Sequence, residues 1–244
     1  MVSDILTPMN HREIEYNAKK LSGCNIPDSF SCAVAKRERQ RLLGWLDETG
    51  KRVFDEDLVM DYGTDCLRLY LLFERTPKEK DAPCYESWQE GALEGLYKFL
   101  GRYRRMILAA GLWNELGRYD AESFAPEQVR RLEAALDTAD TRIAKCISRG
   151  NTMPNRHNLA AALMELLNVF QKELRTGEIV TALHVHAVET AVPQGFYKTP
   201  SDTERAEPSR KNAAVTALCQ QFVMRMAPYA PDLSRVLWET FGSA

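Results

Sequence analysis

Two rows of basic residues at helical spacing are the part of this sequence best suited to binding chemistry. The rows are Lys98, Arg102 and Arg105, and Arg142, Lys145 and Arg149. Residues three and four positions apart lie on the same side of an α-helix, so each row predicts a line of positive charge. Such a line can follow the phosphates of a nucleic acid backbone, which attract Lys and Arg without regard to sequence. The alternative interpretation is an ordinary solvated helix face.

Other patterns that could carry chemistry are weaker. His184 and His186 could face one metal ion from a strand, but residues two apart do not face each other on a helix. No third ligand lies nearby in the sequence, so no metal site is predicted. Gly91 and Gly95 fall within a predicted helix, where we expect close helix packing rather than a phosphate loop. A Cys–His nucleophile pair stays open, and no cofactor is predicted.

Composition limits the class of protein. The 244 residues are 45% hydrophobic and 27% charged, which is typical of a soluble globular protein. The net charge of −2 is low for a dedicated nucleic-acid binder, so any RNA affinity must come from local clusters. No apolar run approaches the roughly 20 residues of a membrane span, and the start of the sequence does not resemble a signal peptide. These features favour a cytoplasmic protein that contacts no membrane.

The six cysteines form no C-x-x-C pair, so neither a zinc knuckle nor a redox motif is indicated. We expect most of them to be buried thiols, because free cysteine packs as a small hydrophobic residue.

Helical periodicity dominates the sequence and predicts a mainly α fold, a bundle of four or five long helices. Apolar residues recur every three or four positions over 87–110, 127–148, 158–174 and 231–241. Pro126 suits the first position of the second of these helices, and Asn158 is a candidate N-cap of the third. Two short helices, over 55–62 and 65–73, are predicted to meet at Gly63. We expect a further helix over 178–192 and an exposed loop over 195–212.

Three segments carry a resemblance to a known family. They are DLVMDYGTDCLRLYLLF at 57–73, NLAAALMELLNVF at 158–170 and MAPYAPDLSRVLWE at 226–239. In this order they resemble the helical region that follows the catalytic domain of leucyl-tRNA synthetase, a class Ia aminoacyl-tRNA synthetase. The resemblance divides the chain into an N-terminal extension, 1–54, and a bundle over 55–244 similar to the anticodon-binding domain. A degenerate remnant of a catalytic domain is one interpretation of the extension.

The resemblance implies contacts to the tRNA backbone rather than base-specific recognition. Arg102 matches an arginine of the family pattern F-L-x-R-x-x-R, and Arg156 precedes Asn158 as an arginine does in the family's R-F-N-T-A segment. The predicted tRNA-binding residues are therefore Lys98, Arg102, Arg105, Arg142, Lys145, Arg149 and Arg156.

The family's catalytic signatures, H-x-G-H and K-M-S-K-S, do not occur in this sequence. Where the resemblance would place the lysine loop stand Asp47 and Glu48, whose negative charge opposes the departing pyrophosphate. We therefore expect no amino-acid activation by this chain alone and no catalytic residues.

Three functions stay open at this point. The first is a stand-alone tRNA-binding module that serves a separate catalytic subunit or another tRNA-using pathway. The second is a protein-interaction scaffold that binds no RNA. The third is a C-terminal fragment of a leucine–tRNA ligase. Structural roles are also expected for several polar residues, including an ion pair between Arg68 and Asp65 and packing by Asn168.

Overall fold

The structure is a computed structural model that describes residues 42–46, 50–73, 84–87, 90–115, 117–119, 124–148, 156–178 and 212–242. Over these residues the fold is mainly α, as the periodicity predicted. The helices are α1 (Asp55–Tyr62), α2 (Thr64–Phe73), α3 (Glu90–Glu115), α4 (Pro126–Ser148), α5 (Arg156–Glu173), α6 (Ala213–Met226) and α7 (Pro231–Gly242). The helix predicted over 178–192 falls outside the described residues beyond Glu178.

Three short strands form a sheet that the sequence did not predict. The strands are β1 (Leu42–Leu46), β2 (Arg52–Val53) and β3 (Cys84–Ser87), in the order β2-β1-β3. β1 pairs with β2 antiparallel and with β3 in parallel. β1 lies in the predicted N-terminal extension, whereas β3 lies within the predicted bundle, so the sheet joins both sides of the proposed boundary at 54/55. That boundary stays a prediction.

Glycine makes the corner between α1 and α2, as predicted. Gly63 has a φ of 84°, a region that side chains with a Cβ rarely adopt, and its N–H donates to the carbonyl of Val59 at 2.9 Å. The second helix starts at Thr64, immediately after the corner. The sharp turn lets α2 enter the core, where eight of its ten residues are buried.

Aromatic rings fill the centre of the bundle. The Phe222 ring of α6 lies 4.7 Å from that of Phe170 on α5 and 5.4 Å from that of Tyr103 on α3, measured between centroids. Such tilted pairs contribute about 0.5–1.5 kcal/mol each beyond the burial of their area. These two contacts hold α3, α5 and α6 in fixed relative positions.

The helix starts have specific caps. The N–H of Ala125 donates to the side chain of Gln128 at 2.9 Å, just before Pro126 opens α4 as predicted. Asn212 caps α6 by accepting from the N–H groups of Ala214 at 3.0 Å and Val215 at 3.4 Å. The prediction that Asn158 caps α5 is wrong, since α5 begins at Arg156 and Asn158 lies inside its first turn.

The start of α7 is capped by a side chain from another helix. Asp65 of α2 accepts from the N–H of Leu233 at 2.8 Å and from that of Asp232 at 3.4 Å. Arg68 donates to the same carboxylate, which confirms the predicted structural pair. Burial raises the pKa of Asp65 to about 7, opposed by the neighbouring Arg68. The carboxylate thus fixes α7 to α2.

Within the described ranges, no helix combines the length and apolar character that a membrane crossing requires.

The described cysteine side chains agree with the expectation of buried thiols. Cys66, Cys146 and Cys219 are buried and free. Burial raises the pKa of the Cys66 and Cys219 thiols to about 12. Their thiolates are therefore scarce at neutral pH, which makes either of them a poor nucleophile.

Candidate nucleic-acid interface

The first basic row lies on the outer side of α3, and its first member is the most accessible. The Lys98 side chain is 68% exposed, and its Nζ is 2.6 Å from Oε1 of Glu94 one turn earlier. An exposed pair of this kind contributes only about 0.3–0.5 kcal/mol. Lys98 can therefore exchange Glu94 for an arriving phosphate at small cost.

Arg102 bridges α3 to α5. Its Nε donates to Oε1 of Gln171 at 3.2 Å, and its Nη2 donates both to that oxygen and to Oδ1 of Asn168. Both partners are neutral amides, so they hold the guanidinium without cancelling its charge. Asn168, expected to be a packing residue, is exposed and forms part of this bridge.

Arg105 lies one turn further along α3 and folds back over Gly101. A Cβ built on Gly101 would lie 3.3 Å from Nη1 of Arg105, and its three nearest atoms would all belong to this side chain. Arg105 has no ion-pair partner among the described residues. Its charge therefore adds to that of Arg102 on the same side of the helix.

The second row lies on α4 and is described in part. Arg142 forms an ion pair with Glu165 of α5 and is 39% exposed. Lys145, one turn on, is exposed and makes no ion pair within the ranges that the structure covers. Arg149 lies outside the described residues, and for Arg156 only its place as the first residue of α5 is described.

The two rows meet across α5. Asn168 and Gln171 contact the row on α3, and Glu165, one turn earlier on the same outer side, contacts the row on α4. The sequence predicted the two rows separately. Their combination into one surface over three helices was not predictable, because the joining contacts link residues 66–69 and 23 positions apart.

A cleft of about 390 Å³ lies between α4 and α5 beside Arg142. Its floor is apolar, formed by Ala134, Ala135, Ala139, Ala162, Leu166 and Val169. Arg131 and Glu173 approach to 3.2 Å at one end, and Arg142 pairs with Glu165 at the other. These two pairs show that α4 and α5 run antiparallel along the cleft.

Two other kinds of site, a close helix contact at glycines and a metal site, find no support among the described residues. Gly91 and Gly95 are exposed, and a Cβ built on either would meet nothing within 4 Å, so the expectation of close helix packing is wrong. Across the described ranges, no three His, Cys, Asp or Glu side chains are grouped as metal ligands.

The sequence of this chain is similar to those of leucine–tRNA ligases. The chain is 27% identical over 203 residues to the leucine–tRNA ligase of Symbiobacterium thermophilum, covering 79% of this chain and 21% of that protein. It is 24% identical over 209 residues to that of Nostoc punctiforme, covering 84% of this chain and 19% of the relative. The predicted resemblance to this family is confirmed. The chain spans about a fifth of the length of these curated relatives.

Among solved structures, the chain is similar to the Agrobacterium radiobacter K84 LeuRS in its ternary complex with tRNA and LeuAMS. The identity is 17%, the TM-score is 0.48, and the match covers 80% of this chain and 20% of that one. No family model matches the chain.

Proposed function

We propose that this chain, which is similar to leucine–tRNA ligases over about four fifths of its length, is a tRNA-binding module that does not itself activate an amino acid. It holds the tRNA backbone and acts in trans with a separate catalytic subunit or another tRNA-using pathway. The binding residues are Lys98, Arg102, Arg105, Arg142, Lys145, Arg149 and Arg156. The cytoplasmic location expected from the sequence belongs to this proposal.

The observation that carries the proposal is the joined basic surface of α3, α4 and α5. Arg102 on one side and Arg142 on the other both reach α5, with Lys98, Arg105 and Lys145 continuing the two rows. Phosphates along a polynucleotide repeat every few ångströms, so a ligand with many charges suits a surface with many cations.

Charge balance supports contacts to the backbone rather than to bases. The whole chain carries −2, so attraction of RNA depends on this local surface and weakens with salt. Lys98 and Arg142 each have an exposed carboxylate partner, and Arg102 and Arg105 have none among the described residues. These two arginines, together with Lys145, which makes no ion pair within those ranges either, are therefore expected to contribute most.

A salt titration tests the proposal. The purified chain is mixed with total tRNA at salt concentrations from about 50 to about 200 mM. The logarithm of the binding constant is expected to fall linearly with the logarithm of the salt concentration, with a slope of about −0.9 for each phosphate neutralised. Saturable binding with such a slope supports the module. Absence of binding at the low-salt end overturns it.

A charge reversal with a matched control locates the surface. Lys145→Glu is expected to weaken tRNA binding about tenfold, the scale of one charged hydrogen bond. Arg130→Glu makes the same change on the same helix, about 22 Å away at 1.5 Å per residue, and is expected to have little effect. Arg102→Glu combined with Lys145→Glu is expected to abolish most binding without unfolding the chain. Equal effects of Lys145→Glu and Arg130→Glu would show that the assigned surface is wrong.

A second candidate is the protein-interaction scaffold that binds no RNA. The observation in its favour is the exposure of two large apolar side chains around α1, Phe54 at 53% and Met60 at 56%. A contiguous exposed apolar patch is typical of a surface that a partner covers; Phe54 immediately precedes α1 and Met60 lies within it. A partner that copurifies with the chain and is released by Met60→Lys, with no retention of tRNA, would favour this function.

The third candidate is a fragment of a longer leucine–tRNA ligase. The share of about a fifth that the chain covers in its relatives agrees with it. A neighbouring reading frame that carries H-x-G-H and K-M-S-K-S would instead support a split enzyme with this chain acting in trans.

A further inference from the structure

We infer that Arg102, Asn168 and Gln171 form one built phosphate-binding site, in which the two amide side chains hydrogen-bond the phosphodiester together with the arginine. The inference rests on the proposed function and adds two residues to the predicted binding set. It depends on the orientation of the amides, on the uncompensated charge and on the rigidity of the three side chains.

The orientation of the two amides follows from the chemistry of arginine. A guanidinium has five N–H donors and no acceptor, so an amide that contacts it must turn its oxygen inward. Oδ1 of Asn168 and Oε1 of Gln171 both face Arg102. Their NH₂ groups therefore face away from the guanidinium, and each presents two further donors beside the cation. Amide donors next to the cation can add hydrogen bonds to the charge-assisted one that a phosphate oxygen accepts from arginine.

The Arg102 guanidinium has hydrogen-bond partners but, among the described residues, no carboxylate that would compensate its charge. Arg142 and Lys98 both have a carboxylate partner, which an incoming phosphate must displace. At Arg102 the partners are neutral, and a phosphate can bind the guanidinium while both amide contacts stay in place. The site thus keeps its full positive charge and requires no broken ion pair.

The site is partly organised before any ligand arrives. Arg102 adjoins Tyr103, and Gln171 adjoins Phe170, two rings buried in the aromatic centre of the bundle. The backbone of α3 and α5 at the site is therefore held by the core. The contacts between the arginine and the amides restrict the rotamers further, which lowers the entropy lost on binding.

The expected ligand is a phosphodiester within a polynucleotide. Arg105 lies one turn from Arg102 on α3, and Arg142 contacts α5 one turn before Asn168, so further cations continue in two directions. A chain of phosphates can use these neighbours in succession. An acidic peptide offers carboxylates of similar charge and serves as the competing ligand in the test.

The experiment replaces each amide by the acid of nearly identical shape. Gln171→Glu and Asn168→Asp each place a carboxylate on Arg102, and each is expected to weaken tRNA binding at least about tenfold and to reduce the salt slope by about one phosphate. Both acids gain an ion pair with Arg102, so the free energy of unfolding is expected to stay equal or rise. A loss of binding with unchanged stability supports the site.

A second variant separates hydrogen bonding from charge. Gln171→Met removes the amide donors but keeps the charge of Arg102, so affinity is expected to fall about two- to tenfold while the salt slope stays unchanged. Glu165→Gln is the opposite change on the same side of α5. It releases Arg142 from its carboxylate and is expected to strengthen binding.

The outcomes distinguish this site from the proposed function. If the unaltered chain binds no tRNA at low salt, both are wrong. If Lys145→Glu weakens binding while Gln171→Glu, Asn168→Asp and Gln171→Met do not, the module stands and the phosphate site is overturned. If a poly-aspartate peptide competes with tRNA at equal charge concentration, the assignment to a phosphodiester is overturned.

Discussion

Gly101 is the residue that leaves room for Arg105 to lie along α3. Glycine inside a helix costs about 0.5–1 kcal/mol relative to alanine, because the unfolded chain has more freedom to lose. The atoms nearest to a Cβ at this position are at the far end of the Arg105 side chain, the first of them at 3.3 Å. The glycine therefore couples the stability of α3 to the position of Arg105, one of the proposed tRNA-binding residues.

Gly101→Ala is expected to raise the free energy of unfolding by somewhat less than about 1 kcal/mol, because Arg105 must move by a few tenths of an ångström. Gly95→Ala on the same helix is the matched control, since its Cβ would meet nothing within 4 Å. Denaturant unfolding of the two variants measures the difference. A Gly101→Ala protein less stable than the unaltered chain would mean that Arg105 is rigidly held.

Asp65 makes stability depend on pH in an unusual direction. Burial raises its pKa in the folded chain to about 7, from 3.8 for the unperturbed group. Between these values the folded chain binds a proton at Asp65 that the unfolded chain does not. The contribution of this proton to the free energy of unfolding is therefore complete below about pH 4 and is lost as the pH rises through about 7. The unaltered chain is expected to be more stable at pH 5 than at pH 8.

Asp65→Asn tests this contribution, because asparagine keeps an acceptor for the N–H of Leu233 but does not titrate. The difference in free energy of unfolding between the two proteins is expected to change steadily from pH 5 to 8. Urea titrations at four pH values measure it. A difference that stays constant over this range would show that Asp65 is already ionised at pH 5.

At the scale of the elements, the entry to α6 depends on a network of amides. Asn114 of α3 accepts from the N–H of Asn212 at 2.8 Å and donates to the carbonyl of the same residue at 3.2 Å. Asn212 in turn donates to the carbonyl of Tyr119 at 2.8 Å and caps α6. The network holds the start of α6 against the end of α3.

Asn114→Leu is expected to lower the free energy of unfolding by about 1–3 kcal/mol, because it leaves the N–H of Asn212 without this partner. Thr138→Ala is the control, since the exposed Thr138 hydroxyl bonds only back to Ala134 in the same helix. Thermal unfolding compares the two. Equal, small shifts would indicate that water replaces Asn114.

Six of the seven described helices were predicted from local spacing, whereas α6 and the sheet were not. Pro126 and Gly63 act within one turn of their own position, so the sequence alone places them correctly. β3 pairs with β1 across about 40 residues, and its four residues carry no clear alternation. The apparent cap at Asn158 is wrong because α5 begins two residues earlier.

For the whole molecule, the sequence supplied the cations of the candidate site but not their partners. Lys98, Arg102 and Arg142 were predicted from helical spacing, which depends on one helix at a time. The partners Asn168, Gln171 and Glu165 follow from how the helices pack, a property of the assembled bundle. These partners decide whether a carboxylate compensates the charge of a given cation. The difference between Arg142, which has such a partner, and Arg102, which has none among the described residues, therefore cannot be predicted from the sequence.

The cap that Asp65 supplies to α7 also orders events during synthesis. The contact spans 168 residues. The ribosome therefore releases α2 long before it synthesises the N–H groups that donate to the Asp65 carboxylate. Contacts so distant in sequence slow folding, since a large loop must close before they form. Until α7 has been synthesised, the part of α2 that packs against α7 stays without that contact.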